Sequence, residues 1–311
     1  MQTHEFRDFD AFADSVRGVE CRMMRQNPKD RVWSIADVDL GGTKVQYGQL
    51  GSGNIVEGQS AADAYLLYMP LSDTCDYTFN GFPVGKDEFA ILEPNSEFRF
   101  STKVEHDFCM AVISASHFAD LEELSCVAER PTVRVTRGNR QCARKFRQIV
   151  NQILISSASC PQFEFEVAAK HASAALVRVA STVVAHQPAT EPRNSGRPRV
   201  LRKDIIGRSM ALLENRNGEP VGVGELATAA RVSERTLRRA FNEYFGVGPV
   251  RYLLLRRLHL INRALRAADP DTVSVTELLA RHGEWEFGRF ASRYRQLFGE
   301  RPSETLRAKR P

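Results

Sequence analysis

The sequence predicts an α+β protein of two domains: a β-sandwich or barrel with trailing helices, then an all-α domain. Three observations carry this. Residues 31–115 alternate short apolar runs with turn signals, the period becomes helical from Ser116, and residues 221–311 hold one amphipathic pattern twice, 53 positions apart. Regular short strands with turns between them suit a sandwich or barrel, and apolar residues at 3.6 spacing suit helices.

A short helical lead-in is expected near Asp8–Arg17. Strand runs follow, such as Tyr65–Met69, Phe89–Leu92 and Phe108–Ile113, separated by Gly41-Gly42, Gly51–Gly53, Asn80-Gly81 and Pro94-Asn95. Helices are then expected where Phe146, Ile149, Val150, Ile153 and Leu154 recur, and again from Phe163 to Val184. Residues 187–198 are polar and carry three prolines, which predicts an interdomain linker. The expected organisation is therefore a first domain over 1–185, a linker over 186–200 and a helical domain over 201–311, where Ile206, Met210 and Leu213 open the helices on one face.

Charge divides at the same place. Residues 1–185 hold 19 Lys+Arg against 24 Asp+Glu, whereas residues 186–311 hold 24 against 14. A basic half that coincides with a helical repeat suits a polyanion. No stretch approaches the roughly 18 consecutive apolar residues of a membrane helix, and Met1–Asp8 lacks a signal-peptide layout, so a cytoplasmic location without membrane association is expected. The six cysteines (21, 75, 109, 126, 142, 160) are scattered without a C-x-x-C pair, as for buried thiols in a reducing compartment.

In the repeat, Leu226, Ala227, Leu237, Phe241, Phe245, Gly246 and Pro249 align with Leu279, Ala280, Phe290, Tyr294, Phe298, Gly299 and Pro302. Each copy reads as a helix-turn-helix. In the first, Glu225–Ala230 is the supporting helix, Arg231-Val232 the turn and Ser233 the N-cap of the next helix. Leu237, Ala240, Phe241, Tyr244 and Phe245 make its apolar stripe, while Arg235, Arg238, Arg239 and Asn242 fall opposite. Forked guanidinium donors on that face suit guanine O6 and N7, or phosphate. Pro249 opens a helix with Val250, Leu254, Leu258, Ile261 and Leu265 on one stripe, long enough to set two probes about one turn of duplex DNA apart.

The second copy opens on a capping box, Ser274 to Glu277, turns at His282-Gly283, and continues as a helix from about Glu286. Its positions equivalent to the first reading face are Gly288, Ala291, Ser292 and Arg295, flanked by Arg289 and Arg293. Direct readout is therefore expected mainly from the first unit, with Ser233 and Thr236 beside its arginines, and anchoring from the second through Arg289, Arg293 and Arg295, with Glu286 and Ser292 as further candidate DNA contacts.

These motifs resemble the AraC/XylS family of bacterial transcription regulators. The resemblance covers about residues 201–308 and rests on Leu226-Ala227, Val232–Leu237, Phe245–Pro249, Arg257-Leu258 and Tyr294–Arg307. One departure is Glu284, with Trp285 beside it, where the family carries an aromatic packing residue; Trp285 is expected to fill the core there, with DNA contact as the alternative. The resemblance implies a jelly-roll or cupin-like sensory barrel, a small organic effector inside it, a homodimer through helices within 139–185, double-stranded promoter DNA and RNA polymerase as partners, and activation of transcription. Trp33, Tyr47 and Tyr68 are candidate effector contacts, because aromatic walls with polar tips suit small ligands.

Catalysis is not expected. The strand region offers one histidine, His106, too few for a histidine-based metal site, and no cofactor or nucleophile motif occurs. Two other regulators stay open at this point: a cysteine-based alkylation-repair or redox switch, although Cys160-Pro161 lacks a following Cys-His, and a ligand-independent regulator controlled by a protein partner.

Overall fold

The computed structural model describes residues 2–6, 8–28, 32–72, 77–118, 133–136, 140–160, 162–163, 167–185, 201–216 and 218–308. The expected linker over 186–200 and two of the cysteines, Cys75 and Cys126, lie outside the described residues. The chain forms two compact units, one of Met1–Met23 with Asp30–Asn194, the other of Met24–Lys29 with Ser195–Pro311.

The first unit is a jelly-roll-like double sheet. Its strands are β1 (Gln2–Phe6), β2 (Val19–Arg25), β3 (Trp33–Asp39), β4 (Thr43–Leu50), β5 (Asn54–Ser60), β6 (Ala64–Pro70), β7 (Tyr77–Phe79), β8 (Phe82–Val84), β9 (Phe89–Leu92), β10 (Glu97–Ser101), β11 (His106–Ser114) and β12 (Val133–Thr136). One sheet has the order β1-β3-β4-β11-β6-β9-β12 and the other β2-β5-β10-β7-β8. Period-two alternation sorts the side chains of β6 and β11. Leu66, Tyr68, Phe108 and Met110 line an apolar cavity between the sheets, whereas Tyr65, Leu67, Met69, Cys109, Ala111 and Ile113 join a core cluster on the opposite face. Helices α2 (Arg140–Ser159) and α3 (Val167–Ala185) cover that second face. Covering both faces explains why all seven residues of β6 are buried and why the run reads as apolar without alternation.

The lead-in is helix α1 (Phe9–Ser15), capped by the Asp8 carboxylate accepting from the Asp10 amide at 3.0 Å. Strands β1, β2 and β12 lie outside the expected strand region, and β12 corrects the helical expectation at 133–136. Strand β1 is polar apart from Phe6 and takes its conformation from pairing with β3, and β12 is a four-residue run paired with β9, too short to show a period. In α2, Ala143, Phe146, Val150 and Ile153 are buried in the core cluster of the unit, so this apolar stripe is used within it. Helix α3 is long and apolar enough, by length and composition, to cross a membrane, but Leu176, Val179, Ala180, Val183 and Val184 lie in the same core cluster.

The second unit is helical: α4 (Arg202–Asn215), α5 (Val223–Ala229), α6 (Glu234–Phe245), α7 (Pro249–Ala267), α8 (Val275–Arg281), α9 (Phe287–Phe298) and α10 (Pro302–Arg307). The repeated Phe-Gly-x-x-Pro has a structural cause. Gly246 and Gly299 end α6 and α9 in the left-handed region, at φ 68° and 79°, and Pro249 and Pro302 start the next helix where no N–H is needed. Central helix α7 has 19 residues and so spans about 28 Å. Its buried stripe is Tyr252, Leu255, Leu258, His259, Ile261, Asn262 and Leu265. This corrects the expected stripe at its start, since Val250 is 65% exposed and Leu254 only half-buried. Aromatic and polar positions take part in the core because α7 packs on α6 through Tyr252 and on α9 through His259 and Asn262.

The last two residues of β2, Met24 and Arg25, and the residues that follow to Lys29 are grouped with this unit. Arg25, 6% exposed, lies 4.8 Å over the Phe298 ring, its carbonyl accepts from His259 Nε2 at 3.2 Å, and the Gln26 carbonyl accepts from Arg251 at 2.9 Å. Burial, with the charges of Arg263 and Arg25, pushes His259 down to about 3, against the hydrogen bond to the Arg25 carbonyl. An unfolded chain protonates histidine near pH 6.5. Between those values the unfolded state binds the extra proton, so His259 costs no stability above about pH 6.5 and an increasing amount as pH falls toward 3. Thermal melts between pH 7 and 4 are expected to show this loss for the native chain and a shallower one for His259→Gln.

Candidate nucleic-acid interface

In the first helix-turn-helix unit, the Ser233 hydroxyl accepts from the Thr236 amide at 3.3 Å and starts α6 as an N-cap. Leu237, Ala240, Phe241, Tyr244 and Phe245 are buried, and Phe241 packs its ring on Phe245 and Tyr252 at 5.4 and 5.3 Å. Arg235, Arg238, Arg239 and Asn242 are exposed on the other side, and Thr236 is half-buried beside Ser233. The folded chain thus holds one helix face of three guanidiniums and a carboxamide against solvent.

These arginines are oriented to different degrees. Arg239 Nε donates to Glu243 at 2.8 Å, and Arg202 of α4 also donates to the same carboxylate. The Arg202 guanidinium, followed by that of Arg239, holds the Glu243 carboxyl below its usual range. Arg238 lies 3.6 Å from Glu234, and Asn242 Nδ2 donates to the Arg238 carbonyl at 2.9 Å. Arg235 has no ion pair among the described residues. It sits in the first turn of α6, the part of a recognition helix that meets base edges.

The second unit is a looser copy. Ser274 accepts from the Glu277 amide at 3.2 Å, but Glu277 pairs with Arg281 at 2.6 Å instead of returning to the cap, so half of the expected capping box forms. The 53-residue offset holds for α6 and α9 and becomes 52 for α5 and α8. Amides of Val232 and Glu284 close the two turns on the carbonyls of Ala227 and Leu279, each at 3.0 Å. Leu226-Ala227 therefore corresponds to Leu278-Leu279, which corrects the alignment to Leu279-Ala280, and the second turn carries one extra residue.

That residue accounts for the departure at Glu284. The Glu284 carboxylate points inward, 3.5 Å from Arg257 of α7, and accepts from the Glu286 amide at 3.2 Å. An ion pair to the central helix takes the place of aromatic packing. Trp285 does not fill the core, as expected from sequence, but is 73% exposed. In α9, Phe290, Tyr294 and Leu297 are buried and Phe298 is half-buried. The Tyr294 hydroxyl accepts from Asn262 Nδ2 at 2.5 Å and lies 2.8 Å from the Thr305 hydroxyl, with burial pushing it up to about 12. Glu286, Arg289, Ser292, Arg293 and Arg295 are exposed; Arg289 is paired with Glu286 at 2.8 Å, and the Ser292 hydroxyl donates to the Gly288 carbonyl at 3.1 Å.

The three aromatic candidates in the first unit do not converge. Tyr68 lines the cavity and packs on Phe79, Phe100 and Phe108 at 5.0–5.2 Å. Trp33 is buried edge-on against Phe9 and Phe12, and Tyr47 is half-buried beside Gln49. The cavity has a volume of about 50 Å3 and purely apolar walls, including Cys21, Met23, Phe98 and Met110. Burial pushes the thiols of Cys21 and Cys109 up to about 12, which keeps them protonated and poorly nucleophilic. Among the described residues no group of three or more His, Cys, Asp or Glu is placed to hold a metal.

Two helix-turn-helix units on one long helix, each with an outer helix that ends on a left-handed glycine and carries exposed arginines, define a double helix-turn-helix domain. A helix-turn-helix domain family matches residues 226–308. Over 103 residues the chain is 37% identical to a probable thc operon regulatory protein of Rhodococcus erythropolis and, over the same length, 34% identical to XylDLEGF operon transcriptional activator 3 of Pseudomonas putida; each match covers 33% of this chain. The chain spans 31% of the length of either relative. Among solved structures, the AraC-like transcriptional activator CuxR aligns at a TM-score of 0.44 with 13% identity, over 83% of this chain and 94% of that one. Residues 226–308 are thus a helix-turn-helix domain, and the chain is similar over about 100 residues to operon transcriptional activators.

Proposed function

We propose that this protein is a sequence-specific DNA-binding transcriptional regulator. The observation that carries the reading is the two-sided α6: five buried apolar residues fix the helix on its unit, and Arg235, Arg238, Arg239 and Asn242 stand exposed together. Such a face supplies forked donors to base edges in a major groove. The exposed Arg293 and Arg295 of α9 contact phosphate on the adjoining turn, and Arg289 does so on exchanging its Glu286 partner for DNA.

The test is selection of bound duplexes from random sequence by the full chain, run at two salt concentrations. The expected outcome is one bipartite motif whose two segments lie about one helical turn apart, with affinity falling steeply as salt rises. Recovery of unrelated sequences with the salt slope unchanged overturns sequence-specific reading.

The finer reading follows the family. The regulator is an activator that contacts RNA polymerase, works in the bacterial cytoplasm as a homodimer, and carries a sensory domain over 1–185 joined through 186–200 to the reader over 201–311. With the inner stripes of α2 and α3 buried, a dimer through 139–185 uses their outer sides, where Ile155 and Val167 are exposed. An effector held in the cavity beside Tyr68 is small and apolar, since those walls offer no polar surface and about 50 Å3 of space. It biases DNA binding only through different affinities for two conformations.

A further inference from the structure

In the second helix-turn-helix unit, Arg295 is the one cation among the four positions equivalent to the first reading face, and the other three offer no unengaged polar group. Gly288 and Ala291 have no polar side-chain atom, and the Ser292 hydroxyl is engaged with its own helix at the Gly288 carbonyl. Trp285 is 73% exposed just before α9, and its ring lies 6.4 Å from that of Phe287, which lines an open groove of about 480 Å3 together with Gly288, Ala291 and Arg295.

The outward placement of Trp285 is built into the turn. On one side the Glu284 amide donates to the Leu279 carbonyl at 3.0 Å and the Glu284 carboxylate lies 3.5 Å from Arg257. On the other, the Glu286 amide donates to that same carboxylate at 3.2 Å. Residues 284 and 286 are thus both held by one side chain, and the indole between them is presented to solvent without a free loop. The exposed arginines 289, 293 and 295 on α9 give this apolar spot a cationic rim, complementary to a polyanion.

We propose that Trp285, with Phe287 beside it, reads thymine through its C5-methyl group at the start of α9. This rests on the DNA-binding reading above and adds what the second unit recognises. The thymine methyl is the apolar mark in a major groove, and a recognition helix meets base edges with its N-terminal residues. The second segment of the bound site is then specified by A·T pairs through shape and apolar contact, and the first by hydrogen bonding to α6.

The test uses the full chain and a duplex that it has selected from random sequence. Each thymine of the second segment is replaced in turn by deoxyuridine, which removes the methyl group and leaves base pairing unchanged. The native chain is expected to lose about fourfold in affinity at each contacted position, the value of one buried methyl. Trp285→Ala is expected to weaken the unsubstituted duplex by at least as much and to be indifferent to deoxyuridine, with its thermal stability unchanged because the indole is exposed. Trp285→Phe keeps part of the methyl sensitivity, and Arg293→Ala keeps all of it while weakening every duplex alike.

Equal affinity of the native chain for thymine and deoxyuridine duplexes overturns the proposal and leaves sequence-specific binding intact. So does a Trp285→Ala chain that binds DNA normally but fails to activate transcription, which would place the indole on a protein. If the native chain selects no sequence at all, both this proposal and the reading beneath it fall.

Discussion

Arg235→Ala is expected to lower affinity for the selected duplex by about 1–3 kcal/mol, roughly tenfold or more, and to relax the base preference at one position of the first segment. Arg235 is the appropriate arginine because it is in the first turn of α6 without an ion pair among the described residues. Arg238 and Arg239 must first exchange Glu234 and Glu243 for DNA, so part of what each gains on binding is offset. Their alanine variants are expected to weaken binding less per residue and to flatten the salt dependence by about one phosphate each, if they contact backbone. Quantitative binding of the three single variants to specific and bulk duplexes separates the roles. An Arg235→Ala chain that keeps both affinity and base preference places readout elsewhere.

Phe241→Ala is expected to destabilise the second unit by about 3–5 kcal/mol. Phe241 is fully buried and its ring packs against both Phe245 and Tyr252, so truncation opens a void between α6 and α7 that rigid neighbours cannot close. Domains of this kind have only about 5–15 kcal/mol of stability in total. The unit should therefore melt well below the native chain, and DNA binding should disappear near the melting transition and persist below it. A melt indistinguishable from that of the native chain would mean that α6 is not anchored through this aromatic cluster.

The repeat was legible because each helix has one buried face and one basic face, and because the Gly and Pro of Phe-Gly-x-x-Pro occupy backbone positions that few other residues tolerate. The strands over 33–114 were legible as short runs between turns, and the outer helices α2 and α3 by period. What was not legible has local causes. Strand β1 takes its conformation from pairing with β3 and not from its own polar residues. The start of α7 was misjudged because a stripe counted from Val250 ignores Tyr252, whose ring reaches the α6 aromatics.

At the candidate interface, the arginines of α6 could be placed on one face from spacing alone. The pairing of Glu243 with both Arg202 and Arg239 joins residues 41 and 4 positions apart and needs the fold to be seen. Trp285 was misread because an aromatic beside a turn usually fills a core. Nothing in the order Gly283-Glu284-Trp285 tells that Glu284 turns inward to Arg257. In the first unit, Trp33, Tyr47 and Tyr68 share aromatic character but face three different surroundings, since neighbouring strands and α1 decide which ring lines the cavity.

The central claim is that two recognition helices, fixed by one α7 of about 28 Å, enter neighbouring major-groove segments on a single face of the duplex. The most direct measurement is the affinity of the full chain for its selected duplex with five base pairs inserted between the two segments. This insertion turns the second segment to the opposite face. The account predicts that affinity falls to that of a duplex carrying the first segment alone. Affinity unchanged by the insertion would contradict it.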